Sequence, residues 1–203
     1  FQHRYVNRDL NILLTEFSNP FYDDFIIPIG TLRESKQEAH RANIIIVTKC
    51  PKTITNKKQN KIKSQIRKHS SADIYFTRIV YHKTVNQHGE KVTLCPNKKL
   101  LLITGIANPN PIYEYLDEFK IRYTPIRFQD HHRFTKNEIQ KIILKSKNYD
   151  GLMTTEKDWM RLRENNPELT ESIKIIRLQI QIKFNDFEQE KKFTQIIKDT
   201  LTK

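Results

Sequence analysis

Asp130, His131 and His132 place a carboxylate and two imidazoles in consecutive positions. Imidazole gains and loses its proton near neutral pH, so a histidine in an accessible loop can act as a general acid or base. The triplet follows a strand-like run over residues 122–128. It precedes a helix whose start is marked by Thr135 and, three residues on, Glu138, the pattern of a capping box. In an open α/β sheet, such a strand-to-helix loop is where site residues gather. Taken alone, surface histidines beside a helix start explain the triplet at least as well, because short motifs recur by chance. Two more loops change that balance: Gly105 to Asn108 after one strand, and Thr155, Glu156, Lys157 and Asp158 after another. The second, by itself, reads as a helix start with acidic residues in its first turn. Three such loops at successive ends of parallel strands share one sheet edge, and together they point to a site.

A fourth segment has chemical content. Gly30, Thr31, Leu32, Arg33 and Glu34 form a turn that opens a short helix. A guanidinium there suits a phosphate, and the adjacent carboxylate suits a metal-bound water; capping plus a salt bridge is the plainer alternative. With only Gly30, Gly89, Gly105 and Gly151, the sequence contains neither G-x-x-x-x-G-K-[ST] nor G-x-G-x-x-G. Cys50 and Cys95 have no second cysteine or histidine at zinc-like spacing, and read as reduced thiols of a cytosolic protein.

The elements that must position these loops follow from the apolar pattern. Residues 11–15 and 43–48 are consecutive β-rich apolar runs, as expected for strands of a parallel sheet covered on both faces. Residues 35–41 give a short helix between them. Residues 53–69 give a surface helix with a narrow stripe of Ile54, Ile62 and Ile66. Residues 74–81 and 91–94, joined by a turn at His88 and Gly89, read as an antiparallel hairpin. From residue 99 a strand–loop–helix rhythm returns: strands at 100–104, 123–128, 151–154 and 173–182, helices at 111–119, 136–146, up to 163, and 187–201. That alternation supports a Rossmann-like layered α/β sheet.

Composition sets the outer bounds. The 203 residues are 37% hydrophobic and 10% aromatic, enough for a folded core, and no stretch approaches the roughly 20 apolar residues of a membrane span. The chain opens Phe1-Gln2-His3-Arg4, without Met or an apolar signal region, as expected of a chain that begins within a longer protein. A net charge of +13 favours an anionic partner: nucleic acid, an acidic membrane face or a phosphorylated substrate. Residues 43–72 contain no acidic residue while Lys49, Lys52, Lys57, Lys58, Lys61, Lys63, Arg67 and Lys68 cluster there. A solvated basic helix and a membrane-facing one explain that run equally well.

The motifs, in order, resemble the tetraacyldisaccharide 4'-kinase family of lipid A biosynthesis. Phe1-Gln2-His3 matches the end of the family's Asp-Asp-Gly/Ala-Phe-Gln-His motif. Arg4-Tyr5, Arg8-Asp9-Leu10, the Pro28 to Glu34 turn, Arg41-Ala42-Asn43, the Val47-Thr48-Lys49 strand end, Gly105-Ile106 with Asn108-Pro109, the Asp130 to Thr135 loop and Thr155 to Asp158 follow in family order. Ala107 departs from the family's usual glycine. The Walker A loop, a catalytic aspartate and the metal-binding aspartates have no counterpart within these residues.

The resemblance implies an α/β fold: a P-loop-kinase-like α/β/α remnant (1–72), a β-hairpin linker (73–97) and a Rossmann-like C-terminal lobe (98–203). It implies transfer of the ATP γ-phosphate, with Mg2+, to the 4'-hydroxyl of a tetraacyldisaccharide 1-phosphate, giving lipid IVA at the cytoplasmic face of the inner membrane. The enzyme would be peripheral, with the acidic membrane surface and the lipid A precursor as partners, and the present chain alone would be inactive. By the same resemblance His131 polarises a carboxylate base supplied by the other lobe, and Asp130 fixes the loop or the imidazole. Gln2, His3 and Arg33 lie near phosphates and Glu34 near the metal, with His132, Asn108, Lys157 and Asp158 shaping the loops and substrate side. Two readings from other classes compete. One is a basic nucleic-acid-binding module, opposed by the absence of a binding motif and of aromatics within the basic run, so nucleic acid is not an expected partner. The other is a small hydrolase using Asp130, His131 and His132 as metal ligands.

Overall fold

Runs of isoleucine, valine and leucine too short for helices must pair edge to edge, and in the computed structural model they do so in parallel. The structure describes residues 5, 7–164, 166, 169 and 172–202. Gln2 and His3 lie outside the described residues. Two compact units divide the chain: Phe1–Val80 with Ile182–Lys203, and Tyr81–Gln181.

In the first unit, β1 (Ile12–Glu16) pairs with β2 (Ile44–Thr48), and β2 with the first part of β3 (Asp73–Val85), all parallel and in the register Ile12↔Ile44 and Ile44↔Asp73. One face is covered by α1 (Asn56–Ile66), whose Ile62 and Ile66 are buried against Ile45, Val47 and Phe76, with Ile54 packed at the margin. Thr55 caps α1, its hydroxyl accepting the Lys58 amide at 3.3 Å. The segment expected as a helix before β2 is a 3-10 helix, Lys36–Arg41, started by Ser35, whose hydroxyl accepts the Gln37 amide. Such a short connector has too few turns for α-helical bonding to dominate.

Two expectations meet a different arrangement. The strand at 74–81 does double back at a turn, closed by Asn86 N–H donating to Glu90 O (2.8 Å), but the antiparallel return is the single bridge Val85↔Lys91. The first residues of β3 instead extend the parallel sheet, because Ile74 and Phe76 carry the apolar surface that β2 needs beside it. The final helix, α5 (Phe187–Leu201), follows the C-terminal lobe in sequence yet belongs to the first unit. Its Phe193 meets Tyr75 of β3 edge-on at 5.6 Å, and Gln189 Oε1 accepts the Phe76 amide at 3.1 Å. An aromatic anchor and a satisfied backbone donor hold it there.

In the second unit, four parallel strands stand in the order β7, β6, β4, β5: Ile175–Phe184 (whose last residues enter the first unit), Gly151–Thr155, Lys99–Thr104 and Arg122–Arg127. Leu100 and Leu102 of β4 pack with Ile112 and Leu116 of α2 (Asn110–Glu118). Ile103, one residue out of phase, packs on the other face with α3 (Lys136–Ser146) and α4 (Glu156–Glu164) through Ile139, Ile142, Trp159 and Leu162. Apolar residues on both sides of one strand make a three-layer α/β/α unit, the Rossmann-like arrangement expected from the alternation. The chain leaves β4 for β5 on one side, then crosses back to β6 on the other. The switch point between β4 and β6 is where such sheets open a crevice at their carboxyl ends.

Candidate active site

The three loops read from sequence as one edge are joined there by specific bonds. Asp158, in the first turn of α4, is fully buried. Its Oδ2 accepts the Gly105 amide at 2.9 Å and the Thr155 hydroxyl at 2.8 Å. The Thr155 hydroxyl in turn accepts the Asp158 amide at 3.0 Å, satisfying a donor of the helix start. A Cβ at position 105 would lie 3.0 Å from Asp158 Oδ1, so glycine is what permits the close approach. Asp158 therefore clips the β4 and β6 loops together, a loop-shaping position.

The β5 loop is tied to α4. Lys157 Nζ donates to Asp130 Oδ1 at 3.0 Å, and the same oxygen accepts the His131 amide at 3.0 Å. The Lys157 hydrogen bond, followed by its charge, holds the exposed Asp130 carboxyl below the usual carboxylate range. Arg161, one turn along α4, donates from Nη1 to Gly105 O and to Asp158 Oδ1, both at 3.3 Å, and from Nη2 to His131 Nδ1 at 3.0 Å. Arg161 belonged to no motif in the sequence. The available signal was its place three residues after Asp158 on one helix face.

The two histidines part company. His131 has φ +62°, the left-handed region, and its side chain is 75% exposed. His132 stacks on Phe128 with ring centroids 4.7 Å apart, and its Nε2 lies 3.1 Å from Glu138 Oε2. Glu138 also completes the capping box with Thr135, as expected; its bonds to the Thr135 amide and hydroxyl, then to His132, lower its carboxyl pKa. With one imidazole held on α4 and the other on α3, Asp130, His131 and His132 do not converge as metal ligands. Among the described residues, no group of three or more His, Cys, Asp or Glu side chains is placed to hold a metal ion. Asn108 is exposed, and its Oδ1 accepts the Asn110 amide at 3.1 Å, which starts α2 where Pro109 offers no side-chain cap. Ala107 is accommodated without a positive φ; its carbonyl accepts from Arg127 Nη2 at 3.1 Å.

In the first unit, Arg33 is exposed, and with Glu34 it lines a concavity of about 220 Å³ beside Leu13 and Phe21. Glu34 Oε2 accepts from Arg41 Nη2 at 2.7 Å, and Arg41 Nε also meets Glu38 at 2.7 Å. The carboxylate considered for a metal is thus committed to a guanidinium. These residues do not by themselves form a magnesium site. A larger hollow, about 570 Å³, runs along Phe187, Glu190, Lys191 and Lys198 of α5. It is the flank of one helix and contains none of the loop residues. Both cysteines are free; burial raises the Cys50 thiol to about 11, which keeps it protonated. No helix of the described residues is long and apolar enough to cross a membrane.

A model of the tetraacyldisaccharide-1-P 4'-kinase family matches residues 1–202. The chain belongs to this family. Among relatives, the tetraacyldisaccharide 4'-kinase of Flavobacterium johnsoniae is 39% identical over 167 residues, covering 81% of this chain and 48% of its own length. That of Cytophaga hutchinsonii is 40% identical over 173 residues, covering 82% and 48%. That of Bacteroides thetaiotaomicron is 36% identical over 211 residues, covering 94% and 55%. The chain spans about half the length of these relatives. The fold also matches a crystal structure of the "apo" form of LpxK from Aquifex aeolicus in complex with ATP, with a TM-score of 0.64 and 20% identity, over 98% of this chain and 55% of that one. The resemblance carried by the motifs is thus borne out for the family and for the α/β fold of this tetraacyldisaccharide 4'-kinase family member.

Proposed function

We propose that the chain supplies the acid/base loop of a tetraacyldisaccharide 4'-kinase, which transfers the ATP γ-phosphate to the 4'-hydroxyl of a tetraacyldisaccharide 1-phosphate and yields lipid IVA. The observation that carries this reading is the convergence of three strand-end loops at a switch point, with His131 left exposed on a rigidly tied turn. Family membership and the ATP-bound fold neighbour support ATP as the donor. Phosphoryl transfer depends on positioning and charge stabilisation more than on covalent chemistry, and the attacking hydroxyl must lose its proton. In this reading His131 donates a hydrogen bond to a carboxylate base outside these residues, and that base takes the hydroxyl proton. Asp130, kept ionised by Lys157, fixes the loop through the His131 amide. The left-handed backbone at His131 costs about 1–3 kcal/mol and is held by these bonds, the kind of local strain that collects at working sites.

The remaining roles belong to the same proposal. The first unit, with the Phe187–Leu201 helix packed in it, forms part of the P-loop lobe, and the second unit holds the linker turn and the C-terminal lobe, with Gln2, His3 and Arg33 on the phosphate side. The family's phosphate cradle and main metal-binding aspartates have no counterpart within these residues, and Glu34 stands on the metal side. The basic stretch around α1, eight Lys and Arg without an acidic residue, suits peripheral contact with the acidic cytoplasmic face of the inner membrane. The test is turnover of the intact kinase on its lipid acceptor. His131→Ala should lower kcat by roughly 10²–10⁴-fold with ATP affinity little changed, and the 203-residue chain alone should give none. Full activity per folded molecule in His131→Ala would end this reading.

A further inference from the structure

Arg161 ties three elements of the second unit together while belonging to no motif. Its guanidinium touches a backbone carbonyl of the β4 loop, the buried carboxylate of α4 and the imidazole of the β5 loop. A guanidinium offers only N–H donors. Its 3.0 Å bond to His131 therefore needs Nδ1 as an acceptor, which places the ring proton of the neutral imidazole on Nε2. Nε2 is 3.8 Å from Asp130 Oδ2, too far for a hydrogen bond, and the ring is mostly exposed, so its N–H is unclaimed within the loop.

We propose that Arg161 is a positioning residue for the kinase reaction: anchored on buried Asp158, it holds His131 as the Nε2–H tautomer, so that the loop presents a proton donor. This rests on the function assigned above to His131. The tautomer matters because a carboxylate has only lone pairs to offer. With the proton on Nδ1, Nε2 would face that carboxylate lone pair to lone pair and could not polarise it. Arg161 is well placed to prevent this. Its side chain is 19% exposed against 0% for Asp158, and two acceptors besides the imidazole, Gly105 O and Asp158 Oδ1, hold the planar group, so less freedom remains to be lost when it binds the imidazole.

Two measurements test the proposal. In the 203-residue chain, long-range ¹⁵N NMR of the histidine rings, at a pH where His131 is neutral, should show an unprotonated Nδ1 and a protonated Nε2. Arg161→Met should give averaged nitrogens from exchange between tautomers. Arg161→Lys, which keeps a cationic donor, should restore the single form. Thr155→Val removes a bond to Asp158 without touching His131 and should leave the pattern unchanged, which separates positioning from general loosening. In the intact kinase, Arg161→Met should lower kcat roughly tenfold or more with the KM for ATP unchanged. Added to His131→Ala, the same substitution should cost less than about twofold, because residues acting as a unit are not additive. Averaged nitrogens in the wild-type chain, or fully additive losses in the double variant, overturn the role of Arg161. A fully active His131→Ala with the wild-type tautomer pattern intact would instead overturn the function assigned to the histidine.

Discussion

Two clusters of opposite charge, one in each unit, use the same ingredients to different ends. Around Glu34, the charges close on themselves: Arg41 meets Glu34 and Glu38, at 2.7 Å each. In the second unit, the chain of contacts runs outward from the fully buried Asp158 through Arg161 to the His131 imidazole, which is three-quarters exposed. The first arrangement pairs one guanidinium with two carboxylates beside a turn. The second ends on a ring whose side chain stays largely open to solvent. An array of charged side chains near a cavity is therefore weak evidence for chemistry until the partners are counted.

The largest expected effect sharpens this contrast within a single loop. In the intact kinase, His131→Ala should lose roughly 10²–10⁴-fold in kcat, whereas His132→Ala should lose little turnover and instead lower thermal stability, since His132 is spent on Phe128 and Glu138. Equal, small kinetic losses at both positions would erase the distinction. Next comes Asp158→Ala, which leaves Arg161 and two donors without their buried acceptor. Denaturant unfolding of the chain should show a loss of about 3–5 kcal/mol; a change under about 1 kcal/mol would mean that the clip is not what joins the loops.

Smaller effects are expected from the closed cluster's side. A Cβ on Gly30 would come within 2.2 Å of Phe25 O and 2.3 Å of Asp24 Oδ1, so Gly30→Ala must displace backbone. About 1–3 kcal/mol of stability should go, with the NMR signals of the Asp130 to His132 loop unmoved; shifts there would show that the turn matters beyond its own unit. The least effect concerns pH. Asp130 has a folded pKa depressed chiefly by its hydrogen bond to Lys157, so its stabilisation is complete above the unfolded value of about 3.9 and fades only as pH falls through the lower folded value. Carboxyl NMR titration should place the midpoint below 3.9 in the wild type and near it in Lys157→Met. Coincident midpoints would remove the clamp.

Much of this was legible beforehand, for reasons that can be named. Consecutive β-rich apolar residues at 43–48 and 100–104 read as strands of a covered parallel sheet, and the capping box at Thr135 marked where the β5 loop ends. The three-loop site followed from strand direction alone. What was harder to read depended on phase and on distance in sequence. Asp158 falls on the buried stripe of α4 with Trp159 and Leu162, a spacing visible in the sequence but outvoted by the usual preference for acidic residues at helix starts. Arg161 acquires meaning only once that phase is known. The 74–81 strand carried hairpin-like turn residues after it, and only the apolar surface of β2 decided that it pairs in parallel. The placement of α5 turned on Tyr75, more than a hundred residues earlier, which no local pattern reveals.

That last placement has a consequence for biosynthesis. The second unit is one uninterrupted stretch, Tyr81–Gln181, lodged between the two parts of the first. A ribosome adding roughly 5–20 residues per second needs on the order of 5–20 s to make about a hundred residues. During that interval Tyr75 of β3 is already synthesised while the helix that will cover it does not yet exist. The segment bearing His131 can therefore finish folding on the nascent chain before Tyr75 gains its covering helix.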